Sequence, residues 1–271
     1  MRFSDFHTHT AFCDGRDAPE EMVKAALEKG FFAFGTSAHN FIAHDPPSSM
    51  RRESIPGYKA EMKRLKEKYS GQIDVFCGTE QEFFATEPTD GYDYVIGSVH
   101  YVKAGERYIT VDRSPEHLRC GIDECFSGDA IAFCEAFFEN EGAVAERTGC
   151  DIIGHFDLVE KYNEGNCFFD PSSPRYVRAY ERAIERLIPS GCLFEVNTGV
   201  ISRGYRDRPY PSEAILNTVR EAGGRVILSS DAHRKENVGV GFDDALRLLE
   251  KCGFDGVAAT PFESGRHKEM K

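Results

Sequence analysis

Nine histidines, at positions 7, 9, 39, 44, 100, 117, 155, 233 and 267, are the residues through which this chain could do chemistry. Six of them close short apolar runs that read as strands. His7 and His9 follow Arg2–Phe6, His39 follows Phe31–Ser37, and His100 follows Tyr92–Ser98. His155 follows Asp151–Gly154, and His233 follows Arg225–Ser229. Glu80 holds the same place after Ile73–Cys77, and Asp231 stands beside His233. Neutral imidazole and carboxylate are the ligands of zinc, iron and manganese. On an extended chain residues i and i+2 face the same way, so His7 and His9 can reach one cation. Asp231-Ala232-His233 repeats that spacing with an oxygen and a nitrogen. A carboxylate between two histidine groups can bridge two ions, and Glu80 is the candidate. A lone loop histidine is usually structural or exposed, and His44, His117 and His267 take that reading. His-x-His alone is a weak signal. Six histidines at corresponding strand ends are what point to a metal site.

Several divalent cations in one cleft suit hydrolysis, because they lower the pKa of bound water toward about 7 and hold both nucleophile and substrate oxygen. The charge balance agrees. Lys+Arg number 33 against 45 Asp+Glu, a net −12, so a polyanion such as nucleic acid is repelled by the average surface. An anionic substrate needs local positive charge, which bound cations supply. A phosphate ester follows naturally, and arginine forks hold phosphate bidentately. Arg203, Arg206 and Arg208 lie on the stretch after the sixth apolar run, Cys192–Val196. The alternative for these three is a solvated surface cluster. Arg206 is the first candidate for phosphate and Arg203 the next, since Arg208 precedes Pro209-Tyr210-Pro211 and turns toward the following helix. No phosphate-binding Gly-x-x-x-x-Gly-Lys loop, dinucleotide fingerprint or Gly-x-Ser-x-Gly elbow is present. Cys13 lies near His9, and a passive thiol is its better reading.

The elements that must position these residues alternate from end to end. Helical spacing of apolar residues marks Pro19–Lys29, Ile55–Tyr69, Ile131–Arg147, Arg175–Ile188, Pro211–Ala222 and Phe242–Lys251 between the strand-like runs. Val102–Ser127 reads as irregular. Gly256–Ala259 reads as an eighth short strand or a closing segment. No linker-like tract divides residues 1–271, so the expectation is one α/β domain with a parallel sheet. Periodicity alone does not separate a closed barrel from an open doubly wound sheet. In a barrel the strand C-termini converge on one face, where active sites form.

Composition excludes several classes. With 41% hydrophobic and 29% charged residues the chain is globular. No apolar run approaches the roughly 20 residues that span a bilayer. The start, MRFSDFHTHT, lacks an apolar signal core. Nine cysteines, an odd number without a Cys-x-x-Cys pair, read as reduced thiols in a cytoplasmic protein.

At these residues the sequence resembles the PHP (polymerase and histidinol phosphatase) superfamily, and within it the monofunctional histidinol-phosphate phosphatases. The matching pieces are Asp5-Phe-His-Thr-His-Thr, Gly35-Thr-Ser-Ala-His39, Gly78-Thr-Glu80-Gln-Glu, Tyr92-Asp-Tyr-Val-Ile-Gly-Ser-Val-His100, Ile152-Ile-Gly-His-Phe-Asp157 and Ser230-Asp-Ala-His233. The resemblance implies a distorted seven-stranded (β/α) barrel, PHP-type, with a trinuclear metal centre at the C-terminal ends of the strands. One metal would take His7, His9, Glu80 and Asp231. A second would take Glu80, His100 and His155. A third would take His39 and His233 with a ligand from the loop after His9. Many relatives have histidine in that loop, whereas this chain offers Asp14. The implied reaction is hydrolysis of L-histidinol phosphate to L-histidinol and phosphate by a metal-bridging hydroxide, in histidine biosynthesis. Loop arginines would stabilise the transition state, and Asp231 or a neighbouring histidine such as His233 would protonate the leaving alkoxide.

Two other readings stand beside this one: a PHP phosphoesterase acting on nucleotide ends or phosphotyrosine, and a non-catalytic metal-binding module. The acidic net charge and the lack of a basic aromatic stripe disfavour nucleic acid, and a full ligand set disfavours a degenerate site. The expected partner is a small-molecule phosphate ester, without nucleic acid or membrane, and with no oligomeric state readable. Glu82, Glu106 and Asp157 are candidate partners for the substrate's amine, each equally readable as surface or structural.

Overall fold

The computed structural model describes residues 3–263, so Arg2 and His267 lie outside the described residues. In chain order the elements are β1 (Ser4–Asp5), α1 (Pro19–Glu28), β2 (Ala33–His39), α2 (Ile55–Lys68), β3 (Asp74–Glu82) and β4 (Tyr94–Ser98). There follow β5 (Tyr101–Ala104), β6 (Arg107–Thr110), α3 (Pro115–Phe126), α4 (Ala130–Thr148), β7 (Ile152–Ile153) and α5 (Pro174–Leu187). The last are β8 (Leu193–Asn197), α6 (Gly199–Ser202), α7 (Glu213–Glu221), β9 (Arg225–Ser229) and α8 (Phe242–Cys252).

Seven of the strands form one parallel sheet in the order β1-β2-β3-β4-β7-β8-β9. The register sets His39 beside Glu80, Glu82 beside Ser98, and Asn197 beside Ser229, so the strand ends align at one rim. The sheet curls until its last strand meets its first. Beyond β9, the Ser230 N–H donates to Asp5 Oδ1 at 3.1 Å, and the His9 N–H donates to the Ala232 carbonyl at 2.9 Å. A parallel bridge between Thr8 and Ala232 continues the seam. The result is a distorted seven-stranded (β/α) barrel with helices outside it.

Both faces of a parallel sheet are buried, and successive side chains alternate between them. Phe34, Val75, Val95, Ile153, Phe194 and Val226 belong to the large apolar layer shared with the helices. Ala33, Tyr94, Ile96, Ile152, Leu193 and Ile227 join Phe6 in a separate cluster that fills the barrel. Tyr94 takes the centre. A Cβ at Gly78 would lie 2.2 Å from its ring, and one at Gly35 would lie 2.4 Å from its hydroxyl. Those two strands therefore need glycine where the tyrosine lies.

The same parity, followed toward the strand ends, changes from apolar to polar. Ala33, Gly35, Ser37 and His39 share one side of β2, and Gly78, Glu80 and Glu82 one side of β3. Tyr94, Ile96 and Ser98 lead to His100, and Leu193 leads to Glu195 and Asn197. The bottom of the barrel is thus a dry core and the top a ring of histidines and carboxylates.

Three sequence expectations change. Val102–Ser127 is not irregular: it forms the antiparallel hairpin β5–β6, then α3, capped by the Ser114 hydroxyl accepting from the His117 N–H at 3.2 Å. No strand forms at 256–259. That segment closes the barrel floor, where the Ala258 N–H donates to the Val226 carbonyl at 2.8 Å and Ser4 Oγ to the Ala259 carbonyl at 2.6 Å. Finally, Asp231 is not extended but left-handed, with φ +46°. Its side chain reaches the centre by that backbone turn rather than by strand alternation.

Candidate metal centre

Glu80, 1% exposed, stands at the middle of the rim. Its Oε2 lies 3.2 Å from His7 Nε2, 3.4 Å from His9 Nε2 and 2.9 Å from His39 Nδ1. Its Oε1 lies 3.3 Å from His100 Nε2 and 3.2 Å from His155 Nε2. One carboxylate therefore meets five imidazoles, from the ends of β2, β4 and β7 and from the segment after β1. Burial pushes its carboxyl up, but His39, His7 and His100 hold it well below the ordinary range.

Asp231 adds a second carboxylate, with Oδ1 3.3 Å from His9 Nε2 and 3.8 Å from His7 Nε2. Asp14, on the loop after His9, makes a further corner. Its Oδ2 is 3.0 Å from His233 Nε2 and 3.8 Å from His39 Nε2, and its Oδ1 is 3.5 Å from His9 Nδ1. Three groups have ligand atoms close enough to share an ion: His7, His9 and Glu80; His39, Glu80 and His100; and His9, Asp14, His39 and His233. All nine residues singled out in the sequence thus converge. The grouping differs from the expected one: His9 and His39 each belong to two groups, and His155 and Asp231 belong to none, although they approach Glu80 at 3.2 Å and His9 at 3.3 Å.

The donor set fits divalent transition metals. His7 Nε2, His9 Nε2, His39 Nδ1 and Glu80 Oε2 are buried and make no hydrogen bond, although they crowd together. Leaving such atoms without partners is costly, and cations in the groups that meet at Glu80 would satisfy them. Burial, with His233 and His39 adding to it, pushes His9 down to about 3, favouring the neutral imidazole that a metal requires.

Carboxylates behind the ring fix its imidazoles. Glu195 Oε1 lies 2.5 Å from His7 Nδ1, and Glu195 Oε2 accepts from the His155 N–H at 2.7 Å. Glu82 Oε2 lies 2.9 Å from His100 Nδ1 and accepts the His100 N–H at 2.9 Å. The contacts to the His7 and His100 rings occupy Nδ1 and leave Nε2 for the centre. Asn197 Nδ2 joins Glu195 to Asp231, at 3.0 and 3.3 Å. Sequence reasoning passed over Glu195 as the ending of the one strand without a ligand. The signal was the parity of β8, which sends Glu195 to the same side as the ligands.

The three arginines part company. Arg203 leaves the one-turn helix α6, and its Nη2 donates to Asp231 Oδ2 at 2.9 Å and its Nη1 to the Asp231 carbonyl at 3.0 Å. It passes over Gly199, where a Cβ would lie 2.8 Å from Asp231 Cβ and 2.9 Å from Arg203 Nη2. Arg203 lines the cleft above the centre. Arg206, the first candidate from sequence, does not line that cleft. The chain reverses at Gly204, φ +72°, and carries Arg206 into the protein, where its Nη2 donates to Glu160 Oε2 at 2.8 Å. Arg208 is exposed, 3.6 Å from Glu164.

The other candidates fall outside the cleft. Glu82 is committed to His100. Asp157 is buried and accepts the Ser212 N–H at 2.8 Å, and Glu106 is exposed at the β5–β6 turn. His44 stacks on Tyr108 at 3.9 Å, and His117 lies against the Thr110 N–H at 3.4 Å. Cys13 lies 3.5 Å from His9, but burial and Asp14 push its thiol up to about 12, which removes it as a nucleophile. Residues unmarked by any motif complete the cleft walls: Asp45, Tyr101, Asp112, Arg113, Lys161 and Tyr205.

Known proteins resemble this chain over most of its length. The PHP domain family matches residues 5–199. A Deinococcus radiodurans protein named "Probable histidinol-phosphatase" is 30% identical, covering 98% of each chain. The "Histidinol-phosphatase" of Bacillus subtilis is 25% identical over 93% of this chain and 100% of its own. Among solved structures, histidinol phosphate phosphatase from Lactococcus lactis, complexed with zinc, L-histidinol and phosphate, superposes with a TM-score of 0.70. It is 20% identical and covers 98% of both chains, a likeness of fold.

Proposed function

The chain belongs to the PHP domain family, and from that premise we propose that it is a metal-dependent phosphomonoesterase hydrolysing L-histidinol phosphate to L-histidinol and phosphate. The observation that carries the reading is the carboxylate of Glu80 surrounded by five imidazoles. Relatives named for this activity match nearly the whole chain.

Two or three divalent transition metals, zinc, iron or manganese, would be held by His7, His9, Asp14, His39, Glu80, His100, His155, Asp231 and His233. When bound they supply an acidified water and positive charge for phosphate oxygens. The chain's own residues do the rest. Glu195 and Glu82 hold His7 and His100 in one tautomer. Arg203 offers its guanidinium to the phosphate from above Asp231 and stabilises the charge that develops there. Burial pushes the Asp231 carboxyl up, but Arg203 and His7 hold it well below the ordinary range. Asp231 is thereby kept ionised, and it or the neighbouring His233, which also lines the cleft, is the group placed to pass a proton to the leaving alkoxide.

The reading of a small ester rather than a nucleic acid rests on the net charge of −12, which repels an extended polyanion. We place the reaction in the cytoplasm, where nine cysteines outside any disulfide stay reduced. No helix among the described residues is long and apolar enough to cross a membrane. The test is phosphate release from L-histidinol phosphate by the purified protein. Turnover that is lost on chelation and restored by zinc or manganese supports the reading. Turnover of phosphotyrosine or nucleotides in preference to L-histidinol phosphate would overturn it.

A further inference from the structure

The wall of the cleft away from the metal ligands comes from the hairpin β5–β6, the residues just after it and the loop after β2. It contributes Tyr101, Asp112 and Asp45. The two aspartates share one arrangement. Asp112 Oδ2 accepts from Lys161 Nζ at 3.2 Å. Asp45 Oδ2 accepts from Arg113 Nη2 at 2.8 Å and from the Tyr101 hydroxyl at 2.9 Å. Each carboxylate thus spends one oxygen on neighbouring groups of the chain. Among the described residues, Oδ1 of Asp112 and Oδ1 of Asp45 have no hydrogen-bond partner. Their side chains are 29% and 13% exposed, open to the cleft rather than sealed.

The two do not stand equally near the centre. The Val111 N–H donates to the His100 carbonyl at 2.9 Å, so Asp112 follows directly on a residue bonded to one of the candidate ligands. Asp45 sits farther along the wall, against Tyr101 and Arg113. L-Histidinol phosphate has a matching order. Its ammonium is on the carbon next to the ester methylene, and its imidazole is one methylene farther from the phosphate. With the phosphate beside the metal ligands, the ammonium falls in the inner zone and the ring in the outer one.

We propose that Asp112 and Asp45 form a cation-reading wall, in which Asp112 takes the substrate ammonium and Asp45, beside the Tyr101 ring, takes the imidazole. This rests on the histidinol phosphate reading and adds the residues that select the alcohol half of the ester. A carboxylate acceptor aimed at a cation discriminates against an analogue without it, because such an analogue covers the acceptor and leaves it unpaired.

The experiment compares kcat/KM for three phosphate esters with wild type, Asp112→Asn and Asp45→Asn. The esters are L-histidinol phosphate, its analogue lacking the amine, and ethanolamine phosphate, which keeps the amine and lacks the ring. Ratios between substrates on one preparation cancel any difference in metal loading. Asp112→Asn is expected to reduce the preference for L-histidinol phosphate over the amine-free analogue about 10- to 150-fold, mainly through KM. Asp45→Asn is expected to reduce the preference over ethanolamine phosphate by at least about tenfold. If the wild type turns over L-histidinol phosphate and either ratio stays within about threefold of its wild-type value, that part of the wall is overturned and the functional reading stands. If the wild type hydrolyses the simpler esters but not L-histidinol phosphate, both fall.

Discussion

Arg203 holds Asp231 from two directions, with Nη2 on its carboxylate at 2.9 Å and Nη1 on its backbone carbonyl at 3.0 Å. Asp231 is a non-glycine residue at φ +46°, a sparsely populated conformation. The guanidinium thus fixes both the turn and the carboxylate it presents, while its own face remains in the cleft.

From this arrangement Arg203→Ala is expected to lower kcat/KM for L-histidinol phosphate by about 10- to 150-fold or more, the cost of a lost charge-assisted bond. Lys does not restore it, because a point charge cannot make the two-sided contact. Arg206→Ala should act differently. It leaves Glu160 buried without its cation and is expected to cost about 3–5 kcal/mol of stability. Urea melts and steady-state kinetics on both variants check this. An Arg206 variant that folds as well as wild type but loses turnover would return the phosphate role to Arg206.

Glu80→Ala should be worse than Asp14→Ala. Glu80 meets five imidazoles, whereas Asp14 borders only the group of His9, His39 and His233. Elemental analysis is expected to find two or three metals per wild-type chain, a loss of about one with Asp14→Ala and a larger loss with Glu80→Ala. Equal losses, or fewer than about one metal in wild type purified without chelator, would contradict the shared role of Glu80.

Glu195→Gln tests the support behind the ring. Glu195 touches no ligand atom that faces the centre, yet it holds His7 Nδ1 at 2.5 Å. Removing its charge is expected to weaken metal binding about 10- to 100-fold. Competition against a chelator of known affinity measures this directly. Unchanged affinity would mean that the contact is structural only.

Glu141, on α4, is fully buried, and neither of its oxygens has a hydrogen bond. Burial, reinforced by Glu82, pushes its carboxyl well above the ordinary range. A carboxyl whose folded pKa is raised releases its proton more readily when unfolded, so stability falls as pH rises above the unfolded value of about 4.3. Glu141→Gln lacks that titration. Its stability relative to wild type is expected to rise by about 1.4 kcal/mol per pH unit between pH 5 and the folded pKa. Denaturant melts at pH 5, 6, 7 and 8 measure the trend, and a pH-independent difference would show that Glu141 is not held neutral.

The sequence by itself determined where the ligands would gather. His39, His100 and His155 stand at the ends of apolar runs, and in a parallel sheet such runs end on one rim. A period of two is local, so strand boundaries and the ligands they carry are legible along the chain. Closure of the barrel was not legible, because alternation of strand and helix is shared with open sheets. It depends on the contact of Asp5 with Ser230, 225 residues apart. Nor was the choice among the arginines. Arg203 and Arg206 are three residues apart on one loop, and only the turn at Gly204 sends one to Asp231 and the other to Glu160. Glu195 and Glu82 became partners of His7 and His100 for the same reason. A carboxylate's role depends on which group from a distant strand shares its space, and that is decided when the sheet curls.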